Sequence, residues 1–234
     1  LFGERSIEPW INSGGSDFPL TRYNATPIEV GISGPRAVAI TIDAMVWIGH
    51  DGYVYAMAGY TPNRISTQSI EEVMRNADLS TAVLWTYRSP GCELVGLEAS
   101  GLDTTWVFDM ATRQWHEQEY TSTTRQRLGI HSVVFHQEEH YAAVGTSLYK
   151  RNASVRTFGS NAMVKQRTWP HLMRPSLEPV SFRSLELACS TGEGGNWFLQ
   201  ISNDGGFTWG ATLVKSLGAT GRWMERVRWH FLGQ

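Results

Sequence analysis

From residue 37 to 57 the chain reads AVAITIDAMVWIGHDGYVYAM, two apolar runs separated by the polar step His50-Asp51-Gly52. Short runs rich in β-branched and aromatic side chains predict strands, and an Asp-Gly step between them predicts a hairpin turn. The plan recurs. In TTWVFDMATRQWHEQEY (104 to 120) the turn is DMATRQ (109 to 114), with Trp106 and Trp115 on its flanks. In HSVVFHQEEHYAAVGTSLYKRN (131 to 152) the polar HQEEH separates two Val-rich strands. One stretch has another period. ISTQSIEEVMRNADLS (65 to 80) puts Ile70, Val73, Met74 and Ala77 on one face, offers Ser66 or Thr67 as a cap, and carries Glu71 and Glu72 in the first turn. This predicts a short helix at about 67–78.

Hairpin turns near residues 51, 111, 138 and 204 imply units of roughly 40 residues, the size of a four-stranded propeller blade. FDMATRQWHE resembles the outer turn of a kelch-type blade, whose Trp packs between adjacent sheets. The expected fold is all-β: a β-propeller-like array of four-stranded blades with a short inserted helix. Residues 1–234 are expected to form a single propeller domain of about four or five blades, incomplete at both ends, because closed propellers generally need more. Strand content alone also fits a β-sandwich. The helix either covers a blade edge or docks a partner.

Composition narrows the function classes. With 41% hydrophobic side chains over 234 residues the chain can bury a real core. Twenty basic against 22 acidic residues leave a net charge of −2, so bulk charge carries no footprint for nucleic acid or an anionic membrane. No apolar run approaches the ~20 residues of a membrane span, and the chain opens on neither a signal sequence nor an initiator Met. Cys92 and Cys189 fit two reduced thiols rather than a disulfide scaffold. The sequons at 24–26 and 152–154 would matter only in a secreted eukaryotic protein.

Three patterns invite a catalytic reading. ISNDGGFTWG (201 to 210) carries Ser202, Asp204, Gly206, Thr208 and Trp209 at the spacing of an Asp-box, familiar from sialidases. In such a turn the Asp accepts backbone N–H bonds, the glycines permit positive φ and the Trp drops onto a neighbouring sheet, so every residue is spent on closing a hairpin. HQEEH (136 to 140) fits an H-x-x-E-H zinc pattern, but that chemistry needs His136 and His140 one helical turn apart, and the segment reads as a hairpin. A sialidase needs three arginines converging on a carboxylate; Arg22, Arg64, Arg88, Arg151 and Arg183 are available, yet no local motif groups three of them. No catalytic, cofactor or metal residue is therefore assigned.

Longer stretches carry a resemblance. LFGERSIEPWINSGGSDFPLTRYNATPIEVGISGPRAVA (1 to 39), MVWIGHDGYVYAMAGYTPNRISTQSIEEVMRN (45 to 76), NWFLQISNDGGFTWG (196 to 210) and GRWMERVRWHFLGQ (221 to 234) resemble, in this order, the packaged-DNA stabilization proteins of short-tailed phages. The similarity spans most of the chain, although residues 80 to 180 match by strand pattern more than by motif. It implies a structural virion protein of the tail, synthesised in the bacterial cytoplasm. Such a protein forms a ring, a hexamer by its place under the portal, that extends the DNA channel and retains the genome. Portal, adaptor, tail needle and possible tailspike contacts follow from the same resemblance, with DNA enclosed but not read by sequence. It further implies strands beyond both ends, no catalytic residues and no cofactor. A sialidase-like glycosidase and a kelch-like interaction adaptor are the alternatives.

Overall fold

The computed structural model describes residues 1 to 232 apart from 24–26, 90, 121–123, 153, 156, 171–179 and 231. The chain forms two compact units, Leu1–Lys165 and Gln166–Gln234.

In the first unit a short ribbon, β1 (Trp10–Asn12) with β2 (Leu20–Arg22), precedes a four-stranded meander of β3 (Val38–Ile40), β4 (Met45–Ile48), β5 (Val54–Ala58) and β6 (Thr61–Arg64). Helix α1 (Gln68–Met74) follows. A second four-stranded meander holds β7 (Asp78–Ser89), β8 (Cys92–Ser100), β9 (Thr105–Asp109) and β10 (Gln114–Gln118). A three-stranded sheet comes next, β11 (Ile130–His136), β12 (Glu139–Val144) and β13 (Ser147–Lys150), then the pair β14 (Thr157–Phe158) and β15 (Asn161–Ala162). All pairings between these strands are antiparallel.

Side-chain alternation explains how the sheets stack. Successive residues of a strand face opposite sides, so a sheet buried on both faces feeds two cores. In the first blade Val46, Ile48 and Val54 enter one core, while Trp47 and Met57 enter another with Ile7 of the N-terminal segment. In the second blade Ala82, Leu84, Val95, Leu97 and Phe108 face the first blade, whereas Val83, Trp85, Leu94 and Val107 face the third sheet. Trp115 packs at the first of these interfaces and donates from Nε1 to the Ile65 carbonyl at 2.9 Å, so its indole does lie between adjacent sheets.

Helix α1 fills the same interface through Ile70 and Met74, both about 1% exposed. It ends earlier than the apolar spacing suggested, and Val73 lies outside on the surface at 39% exposure. Asp78 already begins β7, which leaves room for barely two turns and buries a narrower stripe. Thr67 occupies the N-cap position without a side-chain hydrogen bond; Ser66 instead donates to Glu71.

Two features of the second blade depend on register. Gly96 sits opposite Trp85, and a Cβ on it would come within 2.1 Å of the indole. Glu98 is buried at 4% exposure on the face toward the third sheet. Its carboxylate accepts hydrogen bonds from Thr105 Oγ1 at 2.8 Å and from the backbone N–H of Ile130 at 3.0 Å and Gly129 at 3.1 Å. Thr105 Oγ1 in turn accepts from the Leu128 N–H at 2.8 Å, and Arg127 donates to the Ala99 carbonyl. The chain entering the third sheet is thus stitched to the second blade. Burial pushes the Glu98 carboxyl above its ordinary value, against the downward pull of these donors.

The second unit is built from two ribbons, β16 (Ser184–Leu187) with β19 (Val227–His230) and β17 (Asn196–Leu199) with β18 (Leu213–Ser216). Val227 and Trp229 are its buried anchors. Where a single propeller domain is expected over 1–234, the contacts divide the chain into two units, with two four-stranded meanders and one three-stranded sheet among the described residues of the first. Short strands with period two look alike in a blade and in any other sheet, so strand pattern could not separate the units.

Candidate functional site

The Asp-box spacing falls on the long connection between β17 and β18. Asp204 Oδ1 accepts from the Thr208 N–H at 2.8 Å and from the Ser202 hydroxyl at 2.7 Å, and Asp204 Oδ2 accepts from the Thr208 hydroxyl. The Gly206 N–H donates to Ser202 Oγ at 2.8 Å, and Gly210 N–H closes the loop on the Ile201 carbonyl at 2.9 Å. Gly205 and Gly206 take φ of 76° and 96°, a region costly for residues bearing a Cβ. The Thr208 hydroxyl, then its amide, hold the Asp204 carboxyl down to about 2. A carboxylate so saturated with donors is poorly suited to act as a general base.

Trp209 is 47% exposed, with its ring about 4.0 Å from where a Gly206 Cβ would stand. All four residues of β18 are exposed, while Trp197 and Leu199 of β17 are half-buried.

HQEEH closes the β11–β12 hairpin. His136 pairs with Glu139 and Phe135 with His140, while Gln137 and Glu138 turn the chain at φ of 47° and 64°. The two histidines therefore face opposite sides of the sheet. His140 packs on Phe135 and Tyr87, and its Nε2 accepts from the Arg88 N–H at 3.3 Å. Burial first, and the Arg151 guanidinium second, hold its imidazole below the ordinary value. Among the described residues no group of three or more His, Cys, Asp or Glu converges as metal ligands.

The arginines disperse. Arg22 pairs with Glu8, Arg64 with Glu71, and Arg88 with Glu93. Arg151 lies over the Tyr87 ring at 5.0 Å and donates to Ser89 Oγ at 2.9 Å. Arg183 is exposed in the second unit. Only Arg88 and Arg151 share a neighbourhood, beside Tyr87 and His140.

In the first unit a cleft of about 320 Å³ opens between the β4–β5 turn and α1, lined by His50, Asp51, Tyr53, Glu71 and Arg75 among others. Its groups are committed to one another. Asp51 accepts from the Tyr55 hydroxyl and the Tyr53 N–H, Glu71 from Arg64 and Ser66, and Arg75 pairs with Glu72 at 2.9 Å. His50 Nδ1 accepts from the Gly31 N–H at 3.2 Å. These pairings brace the β4–β5 turn and α1. The sequon at 24–26 lies outside the described residues. At the other, the Asn152 amide oxygen accepts from the Ser154 N–H and hydroxyl. No helix among the described residues is long and apolar enough to cross a membrane.

Comparison with known families gives two matches, the second beginning where the contacts divide the chain. Residues 1–128 match the family model described as Bacteriophage P22 Gp10, beta-propeller, and residues 166–234 match the one described as Bacteriophage P22 Gp10, beta-sandwich. The first match covers both four-stranded meanders, and the second coincides with the second unit. No curated protein matches the chain.

Proposed function

The chain belongs to the bacteriophage P22 Gp10 family, structural tail proteins of the virion that stabilise packaged DNA, and from that premise we propose that it forms a hexameric ring below the portal and its adaptor. The ring extends the DNA channel and presents the needle or plug that keeps the genome in. The carrying observation is the match of two consecutive family models to a stack of blades and to the separate unit that follows it.

A closed ring repeats one heterologous contact, so each subunit presents two different complementary surfaces. The sides of the blades suit this better than the strand interiors. The Asp-box turn closes the hairpin that displays it and has no substrate; the protein is not an enzyme. Ordered assembly on a filled head favours a free chain that is monomeric and closes into a ring on the portal–adaptor complex. Sedimentation of the free protein and cryo-electron microscopy of tails test both halves. A stable free dimer with two-fold symmetry, or no density in the tail, overturns the proposal.

A further inference from the structure

The overall charge of −2 conceals a strongly polarised distribution. Of the 20 Lys and Arg, six fall between residues 140 and 177: Lys150, Arg151, Arg156, Lys165, Arg167 and Arg174. None of the 22 Asp and Glu falls in that interval, so the other 14 cations face all 22 acids elsewhere. A single-sign segment of this length inside an acidic chain concentrates potential locally.

The structure separates the committed cations from the free ones. Lys150 pairs with Glu139 at 2.8 Å, and Arg151 is held by the Tyr87 ring and Ser89. Arg156 and Arg174 lie outside the described residues. Lys165 and Arg167 are exposed and make no hydrogen bond or ion pair with any described residue. They stand in a stretch, 163 to 170, that has no regular secondary structure and is exposed throughout. Two uncommitted cations two residues apart, with no carboxylate nearby in sequence, suit a polyanion rather than a structural role. An extended chain rises about 3.3 Å per residue, so residues two apart can meet phosphates two ~3.4 Å steps apart on a DNA strand.

We infer that the segment around Lys165 and Arg167 contacts the phosphate backbone of double-stranded DNA without reading its sequence. This rests on the tail reading above, which supplies the polyanion, and it adds a direct electrostatic hold to retention by channel closure. Lys165 lies in the interval 129–165 that neither family match covers, and Arg167 falls at the start of the second match.

Fluorescence anisotropy of the purified full chain with a labelled random-sequence duplex, over a salt series, tests the assignment. The wild type should bind with an affinity that falls as salt rises. Lys165→Ala/Arg167→Ala should reduce the magnitude of the log–log salt slope by about 2, close to 0.9 per lost phosphate contact. Lys215→Ala/Arg226→Ala, which removes equal charge from exposed positions outside the segment, should leave the slope unchanged. No binding at low salt, an unaltered slope in the first variant, or an equal loss in both variants overturns the inference. Tail incorporation of the same variants keeps the two claims apart. Intact incorporation with an unaltered slope sinks the DNA contact alone, whereas a reduced slope with no density in tails sinks the tail reading alone.

Discussion

Replacing Glu98 with Ala should be among the most damaging single changes in the first unit. The carboxylate, 4% exposed, satisfies the Ile130 and Gly129 N–H groups and the Thr105 hydroxyl at 2.8 to 3.1 Å. Thr105 keeps its contact with Leu128 after the change, but the two backbone donors lose their acceptor. Each buried donor left unpaired costs about 1–3 kcal/mol, so the loss is on the order of 2–5 kcal/mol, reduced somewhat because a desolvated charge is also removed. For a domain of this size that lowers the melting temperature by roughly 5–15 °C.

Glu98→Gln retains volume and one acceptor but turns an amide donor toward one of the N–H groups, so it should fall between wild type and Ala. The pH dependence has a definite sign. Because burial raises the folded-state value, the favourable contribution of Glu98 is fully present below its unfolded value and declines as pH rises through the raised folded one. Wild type should therefore gain on Glu98→Gln as the solution is acidified from neutrality. Calorimetry with hydrogen exchange at residues 128 to 144 reads both effects. A melting temperature within about a degree of wild type, or exchange that rises equally in the first blade, would refute the stitching role.

Gly96→Ala should cost about 1–3 kcal/mol, since its Cβ would press to 2.1 Å from Trp85, and Trp85→Leu in the same chain should recover part of that loss in a double-mutant cycle; strict additivity would count against the contact. At Asp204 the depressed value means that the turn's stabilisation is present above the ordinary Asp value and fades as pH falls through about 2. Asp204→Ala should abolish the slow exchange of the Thr208 amide at neutral pH and leave the first unit's melting unchanged, whereas fluorogenic glycoside hydrolysis lost in that variant would overturn the structural reading.

The hairpins were legible from the chain alone because their signals are local. In AVAITIDAMVWIGHDGYVYAM the alternation and the Asp51-Gly52 step lie within one hairpin, and the observed register places Trp47 and Val46 on opposite faces as a period of two requires. DMATRQ and HQEEH were readable for the same reason. Helix α1 was visible through the spacing of Ile70 and Met74, but its exposed Val73 was not, because which edge of an apolar face is buried depends on the sheets around it. The free cations were open to counting yet hidden by the balanced total, and only the structure shows which carry partners.

Glu98 could not be found in this way. In CELVGLEAS it looks like an outward polar residue of an edge, and its partners Gly129 and Ile130 lie 31 and 32 residues downstream. Gly96 and Trp85 become neighbours only through strand register. The division at residue 165 and the exposure of Trp209 have the same origin. Local sequence determines where a strand turns, because a turn is settled by the dihedral preferences of a few adjacent residues. Which face meets another sheet, and where one core stops, is decided by packing between segments far apart in the chain.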